Sequence, residues 1–265
     1  PYNGFWGRFN QAENFPEIAG ERIRMYFDFD IKNQEKIKIK FAISPVSSAG
    51  AIENMKTEIP HWDFEKVKAD ANKELNKIQL SSNDKEEKTN FYTAMYHAFL
   101  GPTEYMDTDH KYTGLDLNIQ KAENFTNYTS FSLWDTYRAL HPLFNIVQPK
   151  RNSDMISSMI AHQNQSVHKM LPIWSHYANE NWCMIGYHST SVIADAIIKG
   201  NSSFDENKAL DACVQTARTR YFDGIGYYID MGYVPEDKNG ASVSKTLEYA
   251  YDDWAIAQAA KKLGK

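Results

Sequence analysis

Apolar residues alternate with polar ones in two runs near the start of the chain, at residues 22–31 and 37–43. The apolar positions are Ile23, Met25, Phe27, Phe29 and Ile31 in the first run and Ile37, Ile39, Phe41 and Ile43 in the second. A period of two predicts strands with one buried face, and the polar stretch between the runs predicts a hairpin. Because a lone hairpin is marginally stable in water, we expect this one to belong to a larger antiparallel sheet or sandwich.

The pattern changes to helical periods after Pro45. We predict helices at residues 47–58, 63–75, 83–100, 133–146, 153–170, 189–199, 204–216 and 242–263. Ser203 and Glu206 have the spacing of a capping box at the start of the 204–216 helix. Residues 103–127 are polar but contain aromatic side chains, which predicts a long, ordered loop. Helices that alternate with aromatic connecting segments, as in the second half of the chain, are typical of an α/α toroid.

Composition and charge narrow the classes of function. The 265 residues carry a net charge of −5 and form no basic cluster, so nucleic acid is not expected as a partner. A mean hydropathy of −0.58 and the lack of a long apolar run predict no membrane-spanning segment. The 2 cysteines are too few for a disulfide framework and match no metal-ligand spacing. Aromatic residues make up 14% of the chain, a surplus that carbohydrate sites use.

One stretch, residues 127–142, combines the side chains that suit a sugar site. Trp134 offers an aromatic face for the C–H surface of a pyranose, and Asp135 offers a carboxylate that accepts hydrogen bonds from hydroxyl groups. The dipeptide alone more often indicates a buried helix start, in which Trp134 packs in a core and Asp135 caps the helix. Both interpretations stay open at this point.

Glycoside hydrolysis needs two carboxyl groups, and several acidic residues lie in aromatic surroundings. These candidates are Asp135, Glu180, Asp223, Glu248, Asp252 and Asp253. Glu248 and Asp252 are four residues apart, so on a helix they share one face, where they could hold a cation or a sugar hydroxyl. An exposed acidic helix face is the alternative interpretation.

The histidines of these segments lack the two-histidine helical spacing of a zinc site. Each one by itself is more typical of a structural hydrogen bond than of a ligand or a base. They are His162, His168, His176 and His188.

Five strings of residues are more informative in combination than any single motif. They are 131–142 (Phe-Ser-Leu-Trp-Asp-Thr-Tyr-Arg-Ala-Leu-His-Pro), 170–174 (Met-Leu-Pro-Ile-Trp), 181–188 (Asn-Trp-Cys-Met-Ile-Gly-Tyr-His), 232–235 (Gly-Tyr-Val-Pro) and 244–254 (Ser-Lys-Thr-Leu-Glu-Tyr-Ala-Tyr-Asp-Asp-Trp). In this order they resemble glycoside hydrolase family 92. The likeness extends upstream through residues 58–64 to the predicted hairpin, so it covers nearly the whole chain.

The resemblance implies an α+β multidomain fold. Residues 1–46 would be the end of an N-terminal antiparallel β-sandwich, 47–82 a helical linker, and 83–265 the first part of an (α/α)6 barrel catalytic domain. It also implies an exo-acting α-mannosidase, of the kind found in bacteria that degrade N-glycans and yeast mannan, with α-1,2 as the expected linkage. Calcium is implied as the cofactor of an inverting hydrolysis, and a periplasmic or extracellular location is implied as well.

The segments that carry the general acid, the base and the calcium ligands in that family have no counterpart among these residues. We therefore expect the catalytic residues and the metal ligands to lie outside this chain. The chain is interpreted as a central piece of a longer enzyme, with the remaining pieces of that enzyme as candidate partners.

The resemblance assigns one set of residues to the binding of a mannose-containing glycan. The set is Trp134, Asp135, Glu248, Asp252, Asp253, Trp174 and His176. Trp134 and Asp135 match the string at the mannose pocket. The three acids match a string at the mouth of the same pocket, and Trp174 and His176 are expected in its aromatic wall.

Two other hypotheses stay open. The chain could be a non-catalytic glycan-binding segment that has lost its chemistry. It could also be an (α/α)6 glycosidase of different specificity, in which Glu180, Asp223 or Glu248 acts as acid or base within these residues.

Overall fold

The structure is a computed structural model that describes residues 4–6, 11–13, 24–32 and 36–265. The chain divides into two compact units, Pro1–Lys40 and Phe41–Lys265, and each is described by itself. In the first unit, three short strands form an antiparallel sheet in which the first strand is central. These strands are β1 (Gly4–Trp6), β2 (Gln11–Glu13) and β3 (Arg24–Tyr26).

The predicted hairpin is wrong for the residues that the structure describes. Strand β3 pairs with β1, and residues 27–32 and 36–43 contain no strand. The described apolar side chains of the two runs are exposed by between 41% (Ile37) and 83% (Phe41). Alternation predicts an extended chain, but it does not supply the surface that the apolar face must cover, and a hairpin is marginal without one. Ile23 lies outside the described residues, and the β-sandwich remains a prediction.

The second unit is mainly helical. Its helices are α1 (Ser48–Glu58), α2 (Phe64–Leu75), α3 (Lys85–Ala98), α4 (Leu133–Thr136), α5 (Leu140–Val147), α6 (Pro149–Gln165), α7 (Ser189–Lys199), α8 (Glu206–Ala217), α9 (Ile225–Met231) and α10 (Ser242–Lys262). The side chains of Ser47, Asp63 and Asp84 accept hydrogen bonds from the first turns of α1, α2 and α3, which explains where these helices begin. In the described part of the chain, no helix is both long and apolar enough to cross a membrane.

The predicted helix at 133–146 is divided into α4 and α5. Pro142 has no N–H group to donate to the carbonyl of residue 138, so one hydrogen-bond ladder cannot run through both helices, whereas proline is tolerated in the first turn of α5. The Arg138 side chain folds back instead, and its Nη2 donates to the Trp134 carbonyl oxygen at 3.1 Å.

The predicted capping box of α8 is also wrong. Asp205 caps this helix by accepting a hydrogen bond from the Lys208 N–H group at 3.0 Å. The Ser203 hydroxyl instead donates to the Ser153 hydroxyl of α6 at 2.7 Å. The helix therefore begins two residues later than the serine–glutamate spacing suggests.

Two short features were absent from the predicted pattern. Helix α9 lies in an aromatic connecting segment, between Gly224 and Gly232, which both have left-handed backbone angles. The predicted loop at 103–127 contains the strands β4, β5 and β6; β5 pairs with β6, and β4 pairs with β7, which follows the predicted loop directly. Their bounds are β4 (Thr103–Glu104), β5 (Lys111–Thr113), β6 (Ile119–Lys121) and β7 (Tyr128–Thr129).

The core of the second unit lies among α5, α6, α7, α8 and α10, with α7 packed against all four of the others. Ile193 and Ala196 on α7 are fully buried, and the small side chain of Ala196 leaves room for close helix packing. The most extensive contact joins α7 to α10, where Tyr249 and Asp252 are fully buried. This packing brings the start of α7 against the middle of α10.

Candidate functional site

Two aromatic rings join the end of α4 to the start of α7. Tyr137 follows α4 directly, and His188 is the residue before α7. Their rings are stacked, with centroids 4.1 Å apart and an interplanar angle of 14°. The imidazole is 1% exposed. The string that contains Trp134 and Asp135 therefore lies next to the string that ends in His188.

Asp252 on α10 fixes the orientation of the His188 ring. The distance from Nδ1 of His188 to Oδ1 of Asp252 is 2.8 Å, and Oδ2 of Asp252 accepts a hydrogen bond from the Tyr187 N–H group at 2.7 Å. Burial raises the pKa of the Asp252 carboxyl group, and the hydrogen bonds from His188 and Tyr187 partly offset that rise. Nδ1 donates this hydrogen bond when Asp252 is ionised.

Glu248, one turn before Asp252 on α10, approaches the other nitrogen of the same ring. Its Oε2 atom lies 2.8 Å from Nε2 of His188, and its side chain is 22% exposed. The carboxyl group lies away from the direction in which a ring N–H group would donate, so Nε2 has no hydrogen-bond partner among the described residues. The shared helix face predicted for Glu248 and Asp252 is confirmed, but that face points inward, and the exposed acidic face is wrong for Asp252.

Asp253 contacts a different set of side chains. Its carboxyl group accepts hydrogen bonds from the phenols of Tyr187, at 2.7 Å, and Tyr228. The Tyr187 ring stacks on Tyr249, with centroids 5.2 Å apart. Burial raises the pKa of Asp253, and the two phenol hydrogen bonds partly offset that rise. Asp253 thus lies among tyrosine side chains.

Trp134 and Asp135 stand at the accessible edge of this arrangement. Trp134 is partly exposed, and the guanidinium carbon of Arg138 lies 4.9 Å from the centre of its ring. The indole Nε1 is buried and has no partner within the described ranges. Asp135 is exposed and accepts a hydrogen bond from the hydroxyl of Ser132, the N-cap residue of α4, whose side chain makes no cap hydrogen bond to the helix backbone.

The segment with Trp174 and His176 runs beside the residues before α4. The Phe131 N–H group donates to the Ser175 carbonyl at 2.9 Å. His176 is exposed, with Nδ1 3.1 Å from the Ser130 hydroxyl, and Trp174 is partly exposed. The two residues predicted for an aromatic wall therefore lie next to the segment that leads to Trp134.

A groove with a volume of about 410 Å³ opens beside the Tyr137 stack, between α5, α7 and α10. Arg138 and Asp195 supply charged groups to it, and Tyr251 and Trp254 supply aromatic rings. None of these four residues was among the predicted site residues.

Glu180 and Asp223, the alternative acids, are engaged by structural partners. The Glu180 carboxylate accepts backbone hydrogen bonds from Ile173 at 3.0 Å, Trp174 at 2.8 Å and Trp182 at 3.0 Å. Burial raises its pKa, and these N–H groups partly offset the rise. Asp223 is paired with Lys245 at 2.6 Å. Both carboxyl groups hold connecting segments in place, which argues against a role in proton transfer.

The segment that Glu180 supports leads into His188 with an unusual backbone. Tyr177, Ala178, Trp182 and Met184 have positive φ angles, as does Gly186 at 79°. Non-glycine residues adopt this region at a cost, and such residues cluster at functional sites. A Cβ atom added to Gly186 would lie 2.5 Å from Nε2 of His188, so only glycine lets the backbone approach the ring this closely.

Sequence reasoning missed the three residues that join these segments. Tyr137 and Gly186 were part of the matched strings but had no role, and His188 was interpreted as a single structural histidine. The available signal was the Gly-Tyr-His end of one string, but the partners of His188 are 51, 60 and 64 positions away (137, 248 and 252), and sequence spacing does not show such pairs.

Comparison with known proteins identifies the family. The model of the glycosyl hydrolase family 92 catalytic domain matches residues 50–265. A family 92 α-mannosidase from Bacteroides thetaiotaomicron is 55% identical over 83% of this chain, with a TM-score of 0.80. A family 92 inverting mannosidase from Bacteroides thetaiotaomicron VPI-5482 is 29% identical and covers 100% of this chain, with a TM-score of 0.85.

A curated relative from Arthroderma benhamiae, named "Uncharacterized secreted glycosidase", is 25% identical over 91% of this chain. The chain spans 30% of the length of this relative, 30% of the first mannosidase and 37% of the second. The family model covers most of the chain and every residue of the candidate site. The chain therefore belongs to glycoside hydrolase family 92.

Proposed function

We propose that this chain supplies part of the sugar pocket of a glycosidase that removes terminal α-linked mannose, with an α-1,2 linkage, from mannose-containing glycans. The observation that carries the proposal is the 55% identity with an α-mannosidase over 83% of the chain. The same relative has been solved in complex with mannoimidazole, so a mannose-shaped ligand is the appropriate probe for this chain.

The chemistry of the accessible residues supports this proposal. Asp135 presents an exposed carboxylate beside the partly exposed indole of Trp134. A carboxylate accepts hydrogen bonds from adjacent sugar hydroxyls, and an indole covers the C–H face of the ring. Glu248 adds a second partly exposed carboxyl group, and Trp174 and His176 are proposed for the wall of the pocket.

Calcium belongs to the proposal as a cofactor whose ligands come from outside these residues. Among the described residues, no group of three or more His, Cys, Asp or Glu side chains could hold a metal ion. Glu248 and Asp252 approach opposite nitrogens of His188, so they do not converge on one ion. The described residues therefore do not fit a calcium site. We therefore assign the described residues no part in a reaction step at the metal. We also assign none of them as the general acid or base of the inverting reaction.

The proposed location is periplasmic or extracellular. It is supported by the secreted relative from Arthroderma benhamiae. Cell fractionation followed by detection of the protein tests this part of the proposal, and recovery of the native protein in the cytoplasm contradicts it.

The decisive experiment is hydrolysis of an α-1,2-linked mannobiose. It is measured for the intact gene product that contains these residues and for the 265-residue chain, each with calcium and with a chelator. Activity of the intact protein that is lost on chelation supports the proposal. The first sugar released, followed by proton NMR, should be β-mannose, because inversion changes the anomeric configuration.

Two other outcomes favour the alternatives. Binding of mannoimidazole by the intact protein without turnover of any mannoside indicates a non-catalytic glycan-binding protein. Turnover by the 265-residue chain in chelator places the acid and base within it, at carboxyl groups such as Glu180, Asp223 or Glu248, and overturns the present assignment.

A further inference from the structure

Three contacts hold the ring of His188. The ring stacks on Tyr137 at 4.1 Å, and Nδ1 bonds to the buried Asp252 at 2.8 Å. The backbone of Gly186 approaches the Nε2 edge so closely that a Cβ atom there would lie 2.5 Å from Nε2. The ring is left with one polar atom that is not hydrogen-bonded, Nε2, and this atom faces Glu248.

The short distance to Glu248 requires a proton. With Nδ1 protonated, a neutral ring would point the lone pair of Nε2 at a carboxylate oxygen 2.8 Å away, and two acceptors at that separation repel each other. A proton on Nε2 or on Glu248 turns the same contact into a charge-assisted hydrogen bond. The two groups are not aligned for a hydrogen bond here, so the partly exposed Glu248 side chain must rotate to form it.

We propose that His188 is a positioning residue of the sugar pocket: Asp252 fixes its ring, and the ring shares one proton with Glu248, which sets the direction and the charge of the carboxyl group that meets the sugar. In this role Glu248 hydrogen-bonds to a hydroxyl of the bound mannoside. The inference rests on the proposed function, because it assigns His188 to the same pocket.

The proton is shared within a defined set of groups. From α10, Glu248, Asp252 and the Tyr251 ring face His188, the last with its centroid 6.3 Å away. From the other side, Tyr137 faces it, and the Arg138 guanidinium carbon lies 5.0 Å from the centre of the Tyr137 ring.

Two substitutions of His188 separate the two hydrogen bonds. In His188→Asn the amide takes the place of Nδ1 and keeps the bond to Asp252, but nothing reaches Glu248. In His188→Gln the longer side chain places an N–H donor near the position of Nε2 and keeps the contact with Glu248. His141→Asn is the matched control, because His141 is equally buried and bonds through Nδ1 to Asn152 at 2.8 Å.

The variants are measured in the intact gene product by KM, kcat and the pH profile of mannoside hydrolysis. We expect His188→Asn to raise KM by about tenfold or more, the typical effect of one hydrogen bond to a charged group. Its kcat should change less, because Glu248 is assigned to binding of the mannoside. His188→Gln should keep most of the affinity, and His141→Asn should change neither KM nor the pH profile.

Gly186→Ala provides a test that leaves every polar group in place. The added Cβ displaces the imidazole, and the φ angle of 79° adds strain, so KM should rise as it does in His188→Asn. Equal losses of kcat in both His188 variants, with KM and the pH profile unchanged, overturn the inference while the proposed function stands.

A spectroscopic readout does not depend on activity. In protein labelled with ¹⁵N-histidine, the signals of His188 are those missing from His188→Asn. Glu248→Gln should shift the Nε2 signal, and an unchanged Nε2 signal overturns the shared proton. If the intact protein neither cleaves nor binds a mannoside, the proposed function fails. The shift of the Nε2 signal still shows whether His188 and Glu248 share a proton.

Discussion

The phenol of Tyr187 donates a hydrogen bond to Asp253 across 2.7 Å, while the backbone N–H group of the same tyrosine donates to Asp252. Tyr187 thus donates to the carboxyl groups of two adjacent residues. Burial raises the pKa of both groups. Folding favours the protonated form of both groups. The stability of the protein should therefore respond to pH through them.

Asp253→Asn tests this response. A raised folded-state pKa means that the contribution of Asp253 is fully present below the ordinary carboxyl pKa of about 4 and is lost as pH rises through the folded value. The variant has no charge to bury, and its amide can accept from one phenol and donate to the other. We expect its free energy of unfolding, relative to the unsubstituted protein, to increase between pH 4 and pH 7.

Urea denaturation at several pH values measures this difference. Asp237→Asn is the control. Asp237 is exposed, so its replacement removes a charge but does not remove a buried carboxyl group. A pH-independent difference for Asp253→Asn would show that its carboxyl group is not desolvated in solution.

The buried histidines give a response of the opposite sign. Burial lowers the pKa of both His141 and His162 to about 4, so each is neutral in the folded protein. In the unfolded chain a histidine takes up its proton near pH 6.5. Their contribution to stability is therefore complete above pH 6.5 and is lost as pH falls towards 4, by up to ~3 kcal/mol for each residue.

His162→Asn should flatten this acid limb. The asparagine amide can take the place of Nδ1, which lies 3.1 Å from the Ser175 hydroxyl. The variant is expected to be less stable at pH 7, since it leaves a cavity, but to lose less stability between pH 6.5 and 4.5 than the unsubstituted protein. His97→Asn, at an exposed position, should leave the slope unchanged. Equal slopes for all three proteins would contradict a buried neutral His162.

A stripe of apolar side chains on α10 is exposed. Val243 is 72%, Leu247 66% and Trp254 57% exposed. Contiguous apolar surface of this kind binds hydrophobic dyes, so the purified 265-residue chain should enhance dye fluorescence. The double variant Val243→Ser with Leu247→Ser should weaken that signal without lowering Tm, because neither side chain packs in the core. Lys262→Ser serves as a surface control on the same helix. A cooperative fold that binds no dye would contradict the exposed stripe.

The helices were predictable because their signals are local in the sequence. The helical pattern predicted α1 to α3, and the structure shows side-chain caps at Ser47, Asp63 and Asp84, residue types that favour this position. Pro142 was also a local signal, and it explains why α4 and α5 are separate. The hairpin failed because alternation describes one strand and not the surface that covers it.

The candidate site was likewise predictable only in part. The spacing of Glu248 and Asp252 placed both on one face of a helix, which the contacts with His188 confirm. Nothing in that spacing showed which side of α10 is buried, because the packing of α7 on α10 decides it. The stack of Tyr137 on His188 joins residues 51 positions apart (188 − 137), and only the tertiary fold brings them together.

Asp135 offers the most direct test of the proposed sugar pocket. It is exposed, and its side chain contacts the Ser132 hydroxyl within its own turn. Asp135→Asn should therefore change the free energy of unfolding by less than ~0.5 kcal/mol, as most surface substitutions do. If the carboxylate accepts hydrogen bonds from mannose hydroxyls, kcat/KM of the intact protein for an α-mannoside should fall by about tenfold to a hundredfold. Ser132→Ala is the matched control, because it removes the partner of Asp135 and leaves the charge that the sugar meets. An Asp135→Asn protein with full activity would show that this carboxylate lies outside the pocket and that the neighbouring indole does not mark the sugar site.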